Sequence, residues 1–224
     1  MPALAPCRVL RLAVDINVFV ADILAQRRGF RGSAATMIAT AVRDGSCPAG
    51  PVQLVTSVPI IENYANVLHR HLGYSSEDAE AKAWMLSEYA IDGPVPERPR
   101  VVVGAGYIPF ETEEQLQQSI TQQAGTAGTG TLFDEIRDDR YVLETALAGR
   151  ADILVTGDVH GFSKGSAIKL RRGDIVLFPF GGRRLVIGNP AFVAYWLRQG
   201  VIPDEEFVAG RPDEFAPAEE APPP

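Results

Sequence analysis

The sequence contains few of the residues that bind metals through sulfur or imidazole, and no segment that would cross a membrane. Its 224 residues include only two cysteines and three histidines. Cys7 and Cys47 have no CxxC or Cys/His spacing, so we expect neither a zinc site nor a disulfide framework. No apolar run approaches the roughly 20 residues that span a bilayer. Arg8 and Arg11 interrupt the apolar stretch near the N-terminus, where a signal peptide would be uninterrupted. We therefore expect a cytoplasmic protein.

The chain also lacks the excess of positive charge that is typical of nucleic-acid-binding proteins. It has 28 acidic and 21 basic side chains, for a formal charge of −7. Residues 204–224 carry most of this charge, since they contain seven acids and one base. This segment is also rich in proline and poor in aromatic residues, so we predict a disordered acidic tail. The remaining chain is close to neutral, and nucleic-acid binding there depends on how its charges are distributed.

Short apolar segments alternate with helical patterns through residues 1–203. The predicted strands are 11–15, 52–56, 101–103, 152–156, 175–178 and 184–187. The predicted helices are 17–28, 33–44, 57–71, 76–91, 139–149 and 189–199. This order favours an α/β fold, a three-layer sandwich with a central, mainly parallel sheet. Gly181-Gly182 predicts the turn of a C-terminal hairpin within a basic region at about 162–188.

Local signals define several helix ends and one inserted segment. Ser33, Ser57 and Asn189 are predicted N-caps, and Gly149 is a predicted C-cap. The stretch at about 104–137 contains a capping box and a run of glycine, threonine and alanine, which is typical of a flexible segment. We predict that this stretch is an insertion in a single domain.

Four acids can meet at one edge of the predicted sheet. Asp15 and Asp158 follow parallel strands, whose carboxyl ends form the usual ligand site of such folds. Asp139 begins the helix before the last of these strands, and Glu62 lies one to two turns into the helix after the second. Clustered carboxylates repel unless they bind a cation. Oxygen ligands alone favour Mg²⁺ or Mn²⁺, which predicts phosphodiester hydrolysis by an activated water.

These acids lie in motifs that resemble those of PIN-domain ribonucleases. Asp15-Ile-Asn-Val-Phe resembles the first motif, and residues 57–68 resemble the second. Residues 138–146, followed by Ala151-Asp-Ile-Leu-Val-Thr-Gly-Asp158, resemble the third and fourth. The motifs span about 11–160 and are most similar to the bacterial PIN toxins of toxin–antitoxin systems (VapC-like).

The resemblance implies a metal-dependent endoribonuclease that leaves 5′-phosphate and 3′-hydroxyl ends. It implies that the catalytic, metal-binding acids are Asp15, Glu62, Asp139 and Asp158. Asn17 would orient Asp15 or a metal-bound water, and Thr156 would be an accessory hydrogen-bonding group. An antitoxin protein and a second copy of the chain are the implied partners. Asp138 competes with Asp139, but Asp139 keeps the spacing to an inward-facing alanine.

The sequence departs from the family pattern in three places. Position 16 is isoleucine, where a small hydroxyl residue is usual. The insertion is large, and the segment 162–188 is longer than usual. Two other functions therefore stay open, namely a catalytically weak RNA-binding or scaffold protein on the same fold, and a DNA or flap nuclease.

Basic residues concentrate after the last acidic motif. Six of them are Lys164, Lys169, Arg171, Arg172, Arg183 and Arg184, against one acid, Asp174. They form either a solvated hairpin or an arm that contacts RNA phosphates. We favour the second interpretation because the arm begins beside the acidic motif. Arg27 and Arg28, at the end of the first helix, form a second candidate RNA contact.

Overall fold

A computed structural model describes residues 8–91, 102–103, 140–162, 168–170, 175–180, 183–202 and 205–210. The strands are β1 (Leu10–Val14), β2 (Ser46–Cys47), β3 (Gly50–Ser57), β4 (Val102–Val103), β5 (Ile153–Val155), β6 (Ile168–Leu170), β7 (Ile175–Phe180) and β8 (Arg183–Gly188). The helices are α1 (Ile16–Arg27), α2 (Ala34–Arg43), α3 (Val58–Leu72), α4 (Ser76–Ile91), α5 (Arg140–Ala148), α6 (Pro190–Arg198) and α7 (Glu205–Gly210). A 3₁₀ turn, Val159–Phe162, follows β5.

The strands form one mixed sheet in the order β2-β3-β1-β5-β8-β7-β6, and β4 also pairs with β3. The central strands β3, β1, β5 and β8 are parallel, whereas β6, β7 and β8 pair antiparallel. The predicted α/β fold with a mainly parallel core is therefore confirmed. The carboxyl ends of β3, β1, β5 and β8 meet at one edge of this sheet, called here the carboxyl edge.

Side-chain alternation along the strands produces a core on each face of the sheet. Leu12 and Val14 of β1 join the larger core, which includes buried side chains of α1, α2, α3, α4 and α6. Ala13 joins the smaller core, which α5 and the 3₁₀ turn cover. Leu143, Ala146 and Leu147 of α5 are buried in this smaller core, as their spacing predicts. The sheet is thus the middle layer of three.

Asp152 connects the amino ends of β1 and β5. Its Oδ2 accepts a hydrogen bond from the Arg11 backbone N–H (2.8 Å), and its Oδ1 accepts one from the Arg8 guanidinium (2.7 Å). The Asp152 backbone N–H in turn donates to the Arg11 carbonyl oxygen (2.9 Å). The sequence suggests a solvated acid here, but these bonds give Asp152 a structural role between strands that are distant in sequence.

Two of the predicted helix caps are confirmed. Ser33 Oγ accepts a hydrogen bond from the Thr36 N–H (3.1 Å), and Asn189 Oδ1 accepts one from the Phe192 N–H (3.0 Å). Both side chains stabilise a helix start by satisfying an N–H that has no partner within the helix.

Ser57 and Gly149 lie at the predicted ends of α3 and α5, but the capping interaction differs from the predicted one at both. Ser57 occupies the N-cap position of α3, but its side chain makes no capping hydrogen bond. At the end of α5, the left-handed conformation falls on Arg150 (φ 51°) rather than on Gly149. The Ala151 N–H then donates to the Ala146 carbonyl oxygen, which closes the helix end.

The prediction of disorder from residue 204 onward is wrong for α7. Phe207 packs edge-on against Trp196 of α6, with ring centroids 5.9 Å apart, and Val208 is buried. Glu205 accepts a hydrogen bond from the Arg184 backbone N–H (3.0 Å). Burial of two apolar side chains on α6 and β8 therefore stabilises a helix within an acidic segment. Residues 211–224, like the predicted insertion at 104–137, lie outside the described residues.

The region at 162–188 contains one more strand than the sequence predicts. β6 pairs antiparallel with β7 and forms the edge of the sheet. The strands on either side of the predicted turn at 181–182, β7 and β8, pair antiparallel as predicted. No helix in the described ranges is long and apolar enough to cross a bilayer.

Candidate active site

A row of polar side chains continues the sheet at its carboxyl edge. Ala13 pairs with Val55 and with Leu154, so continuing the same registers aligns Asp15 with Ser57 on one side and Thr156 on the other. All three residues are buried. Because strand side chains alternate, they lie on the face of the sheet that α5 covers. The folded chain therefore places one buried carboxylate between two hydroxyl groups.

Asp15 is the most buried of the three acids of the proposed site that the structure describes, with 4% of its surface exposed. Burial raises its pKa, because the ionised carboxylate loses hydration. The hydrogen bond from Thr156 and the backbone N–H groups of Asn17 and Ile16 oppose this effect, and the nearby charge of Asp158 adds to it. Asp15 also occupies the N-cap position of α1 without capping it through its side chain. Its carboxylate therefore faces both the first N–H groups of α1 and the Thr156 hydroxyl.

Thr156 is the centre of the hydrogen-bond network that connects the acids. Its hydroxyl donates to Asp15 Oδ2 (2.7 Å) and accepts from the Asp158 backbone N–H (3.1 Å) and from Asn17 Nδ2 (3.3 Å). One donor and two acceptor positions are the full hydrogen-bonding capacity of a hydroxyl group. Thr156 therefore holds Asp15, Asn17 and Asp158 in fixed relative positions.

Asn17 uses both ends of its amide in the same network. Its Nδ2 donates to Asp15 Oδ2 (2.7 Å), and its Oδ1 accepts from the Gly157 backbone N–H (3.1 Å). An aspartate in this position could not make the first of these contacts, since a carboxylate is not a donor. The predicted orienting role of Asn17 thus has a direct geometric counterpart.

Asp158 is exposed at the end of the β5 segment, close enough to Asp15 for the two charges to interact. Its Oδ1 accepts a hydrogen bond from the Gly161 N–H (3.1 Å), so it also caps the 3₁₀ turn. Asp158 is therefore a turn residue, and this structural role is compatible with its proposed role as a metal ligand. The backbone bond to Thr156 keeps its side chain beside the carboxyl edge.

Among the residues that the structure describes, Glu62 is not grouped with Asp15 and Asp158. Glu62 is exposed on α3, in the turn after the helix start. Asp139 and its competitor Asp138 lie outside the described residues, and α5 begins at Arg140, the next residue. Within the described ranges, no three His, Cys, Asp or Glu side chains are grouped closely enough to hold a metal ion. Asp15 and Asp158 are the two acids whose proximity the geometry supports.

Four further polar residues join α5 to the junction of β3 and α3. Thr145 shares a hydrogen bond with Ser57 Oγ (2.7 Å) and donates to the Tyr141 carbonyl oxygen (2.6 Å). Asn63 Nδ2 donates to the Tyr141 hydroxyl (2.6 Å). Sequence reasoning missed these contacts because the partners are 78 to 88 positions apart. The only local signal was the position of Asn63, directly after Glu62.

Within the described part of the basic region, Leu170 and Arg184 lie near opposite ends of the strands. Leu170 pairs with Ile175, and Ile175 pairs with Gly188 at the carboxyl edge. Arg184 pairs with Pro179 instead, four residues earlier on β8 and roughly 13 Å from this edge at the usual rise per residue. Arg184 also forms an ion pair with Glu205 (3.5 Å). Arg184 is therefore distant from the carboxyl edge, and its role in RNA binding stays a prediction.

The structure describes only some of the other predicted RNA-contacting residues. The Arg27 guanidinium donates to the Leu72 carbonyl oxygen (3.1 Å) and lies 4.9 Å from the centre of the Tyr74 ring. These contacts give Arg27 a structural role between α1 and the end of α3, whereas Arg28 is exposed. Lys164, Arg171 and Arg172, and the side chains of Lys169 and Arg183, lie outside the described residues.

The fold and the polar edge define a class of α/β protein with an acidic site at the carboxyl ends of parallel strands. A family model described as PIN domain matches residues 11–160, which is more than half of the chain. The chain belongs to the PIN-domain family, whose members are generally nucleases. Neither the search of curated proteins nor that of solved structures found a match.

The donor groups of the site fit a hard divalent cation, which PIN domains typically use. The described site groups are carboxylate, amide and hydroxyl oxygens, which Mg²⁺ and Mn²⁺ prefer. Asp15 carries a charge that burial and Asp158 both disfavour, and a cation would offset this cost. Asp15 and Asp158 are the described residues that would hold such an ion. Asn17 and Thr156 would fix their orientation.

Proposed function

We propose that the protein is an endoribonuclease that depends on Mg²⁺ or Mn²⁺. The observation that supports this most strongly is the buried Asp15, connected through Thr156 to Asp158 at the carboxyl edge. A metal ion at this site would activate water and stabilise charge on the phosphate. Asp15, Glu62, Asp139 and Asp158 are the proposed ligands, of which Asp15 and Asp158 have geometric support.

In this reaction the side chains of the site would supply two negative charges and would hold them in fixed positions. Thr156 and Asn17 hold the Asp15 carboxylate in one rotamer, so it does not need to reorganise when the phosphate arrives. Burial of Asp15 on the side of α5 keeps water away from its inner face. Asp158 is exposed, so a nucleic acid could contact it directly. The site thus combines a fixed inner acid with an accessible outer acid.

A comparison of matched variants tests this function. We expect purified wild-type protein to cleave single-stranded RNA with Mn²⁺ or Mg²⁺ and to be inactive in EDTA. Asp15→Asn and Asp158→Asn should each reduce cleavage at least 100-fold, about the loss expected for groups that act in the transition state. Asp44→Asn makes the same chemical change at an exposed acid after α2 and should leave cleavage unchanged. Normal activity in Asp15→Asn would exclude Asp15 as a ligand.

A second candidate function is RNA binding without efficient cleavage. It is favoured by two departures from the family pattern, the isoleucine at position 16 and the large insertion at about 104–137. It predicts that RNA is retained in a gel-shift assay while no product appears at any Mn²⁺ concentration. Parallel assays with DNA of the same sequence and with a flap substrate test the remaining alternative, a DNA nuclease.

We further propose that the protein acts in the cytoplasm as the toxin of a toxin–antitoxin pair, with a protein antitoxin as partner, and that it forms a homodimer. The proposal is supported by the similarity of its motifs to PIN toxins. Induced expression should stop growth, and co-expression of the product of the neighbouring gene should restore it. Light scattering measures the dimer directly, and a mass equal to one chain would contradict it.

A further inference from the structure

Four hydrogen-bonded polar residues, called here the polar seam, connect α5 to the junction of β3 and α3. The seam consists of Ser57, Asn63, Tyr141 and Thr145, whose hydrogen bonds are 2.6 to 2.7 Å long. Ser57 and Thr145 are buried, and Asn63 and Tyr141 are half-buried. Hydrogen bonds of this length between partly desolvated groups are stronger than exposed ones and fix the relative position of two elements.

Ser57 contributes to this seam instead of capping its own helix. Its backbone has the extended conformation of an N-cap residue (φ −144°, ψ 163°), yet its hydroxyl bonds to Thr145 of α5. Without a side-chain cap, the start of α3 is less firmly defined by local structure. The bond from Asn63 to the Tyr141 hydroxyl supplies a second fixed point, five residues further along α3 than the first helical residue. The direction in which α3 leaves the sheet therefore depends on α5.

This direction determines where Glu62 lies relative to Asp15. Glu62 directly precedes Asn63 on α3, whereas Asp15 follows β1, which pairs with β3. A small rotation of α3 about its start would move Glu62 but not Asp15. We infer that Asn63 and Tyr141 are positioning residues, which fix the part of α3 that carries Glu62 relative to β1 and Asp15, so that Glu62 can contribute to the divalent-ion site proposed above. This inference rests on the proposed metal-dependent function.

The hydroxyl and the ring of Tyr141 have separable roles. The ring packs against the smaller core and contributes to stability. The hydroxyl accepts from Asn63 and has the positioning role. Tyr141→Phe removes only the hydroxyl, so its effect on the metal site can be measured in a protein whose core is intact. Tyr195→Phe is the matched control, because Tyr195 is a half-buried tyrosine of α6 that packs against the other core.

The test measures Mn²⁺ binding to the full chain by calorimetry, without RNA. We expect Tyr141→Phe and Asn63→Ala each to raise the Kd for Mn²⁺ about tenfold, the lower end for side chains that orient metal ligands. The double variant should bind no more weakly than either single variant, because both remove the same hydrogen bond. Thr145→Ser keeps the hydroxyl bonded to Ser57 and should retain the wild-type Kd, whereas Thr145→Val should not. Tyr195→Phe should also retain it.

The outcomes separate the positioning role from the proposed function. If Tyr141→Phe has a lower Tm but an unchanged Kd for Mn²⁺, the seam is only structural and the inference is wrong. If additive effects appear in the double variant, Asn63 and Tyr141 do not act through their shared bond. If the wild-type protein binds Mn²⁺ but cleaves no RNA, the proposed function fails while the positioning test stands. Failure of the wild-type protein to bind Mn²⁺ overturns both.

Discussion

The Thr156 hydroxyl donates a 2.7 Å hydrogen bond to Asp15 Oδ2 across two neighbouring parallel strands. The Thr156 hydroxyl oxygen also accepts a hydrogen bond from the Asp158 backbone N–H, so one side chain determines the position of both acids. Asp15 and Asp158 are 143 positions apart in sequence, and their proximity depends on the pairing of β1 with β5. The first prediction follows from this bond.

Thr156→Val should lower the free energy of unfolding and raise the pKa of Asp15, although the two side chains have nearly the same volume. Valine replaces the hydroxyl by a methyl group and removes a hydrogen-bond donor from the buried Asp15 carboxylate, which costs about 1–3 kcal/mol of unfolding free energy. Without the Thr156 bond, the pKa of Asp15 should rise further, since this bond lowers it. The acid limb of the pH–rate profile should therefore move to higher pH. Thr156→Ser keeps the hydroxyl and should retain the wild-type profile.

Asp15→Asn should stabilise the metal-free protein at neutral pH. Burial raises the pKa of Asp15 in the folded state above its value in the unfolded chain. The free energy of unfolding of the wild-type protein therefore declines as the pH rises from the unfolded-state pKa to the folded-state pKa of Asp15. At neutral pH this contribution remains below its value at low pH. Asparagine has no such cost and can still accept from Thr156. Thermal melting in EDTA should show a higher Tm for the variant at pH 7, by about 2–4 °C for each 1 kcal/mol.

The pH dependence provides the control for this prediction. Below the unfolded-state pKa, Asp15 is protonated in both states, and the difference between the two proteins should disappear. A constant difference in Tm between pH 4 and pH 8 would mean that the charge of Asp15 is not its cause. Saturating Mn²⁺ should raise the Tm of the wild-type protein and not that of Asp15→Asn.

Arg150→Gly should stabilise the end of α5. Arg150 has a φ of 51°, a left-handed conformation that disfavours residues with a Cβ atom. Glycine adopts it without strain, although the unfolded chain gains entropy, so the net gain should be about 0.5–1 kcal/mol. Urea denaturation measures the difference. Arg150→Ala retains the Cβ atom and should show no gain, which separates the backbone effect from loss of the arginine charge.

The Arg184–Glu205 pair should contribute to the attachment of α7 rather than to RNA binding. Both side chains are about 40% exposed, so their coupling in a double-mutant cycle should be about 0.2–1 kcal/mol. Arg184→Ala should leave the KM for RNA unchanged, because Arg184 is distant from the carboxyl edge. Phe207→Ala should release α7 more effectively, since it removes the contact with Trp196. A large rise in KM for Arg184→Ala would restore its predicted role in RNA binding.

Sequence reasoning succeeded where the determining interactions are local. The apolar segments before Asp15 and Asp158 are strands of a parallel sheet. Ser33 and Asn189 each cap the helix that begins at the next residue. A cap bonds to a backbone group only three residues away, and strand side chains alternate by a fixed geometric rule. For the same reason, the order of strands and helices was enough to predict that Asp15 and Asp158 lie at one edge of the sheet.

The remaining features depend on partners that are distant in sequence. Ser57 has the residue type and backbone of a cap, but Thr145 is present beside it in the fold and competes for its hydroxyl. The composition around α7 predicts disorder, and its stability comes from Trp196 and β8. Asp152 has the sequence context of a solvated acid and bonds instead to Arg11. Each error arose from a tertiary contact that no short window of sequence contains.

The bonds between Asp152 and Arg11 have a consequence at the opposite end of the same two strands. They fix β1 against β5 in a single alignment, about 13 Å from Asp15 at the rise of a strand. A slip of β1 by one residue would turn every side chain to the other face, with Asp15 in the apolar layer of α1 and Val14 between Ser57 and Thr156. The acidic site is therefore intolerant of single-residue insertions or deletions anywhere along β1, even at positions that touch neither metal nor substrate.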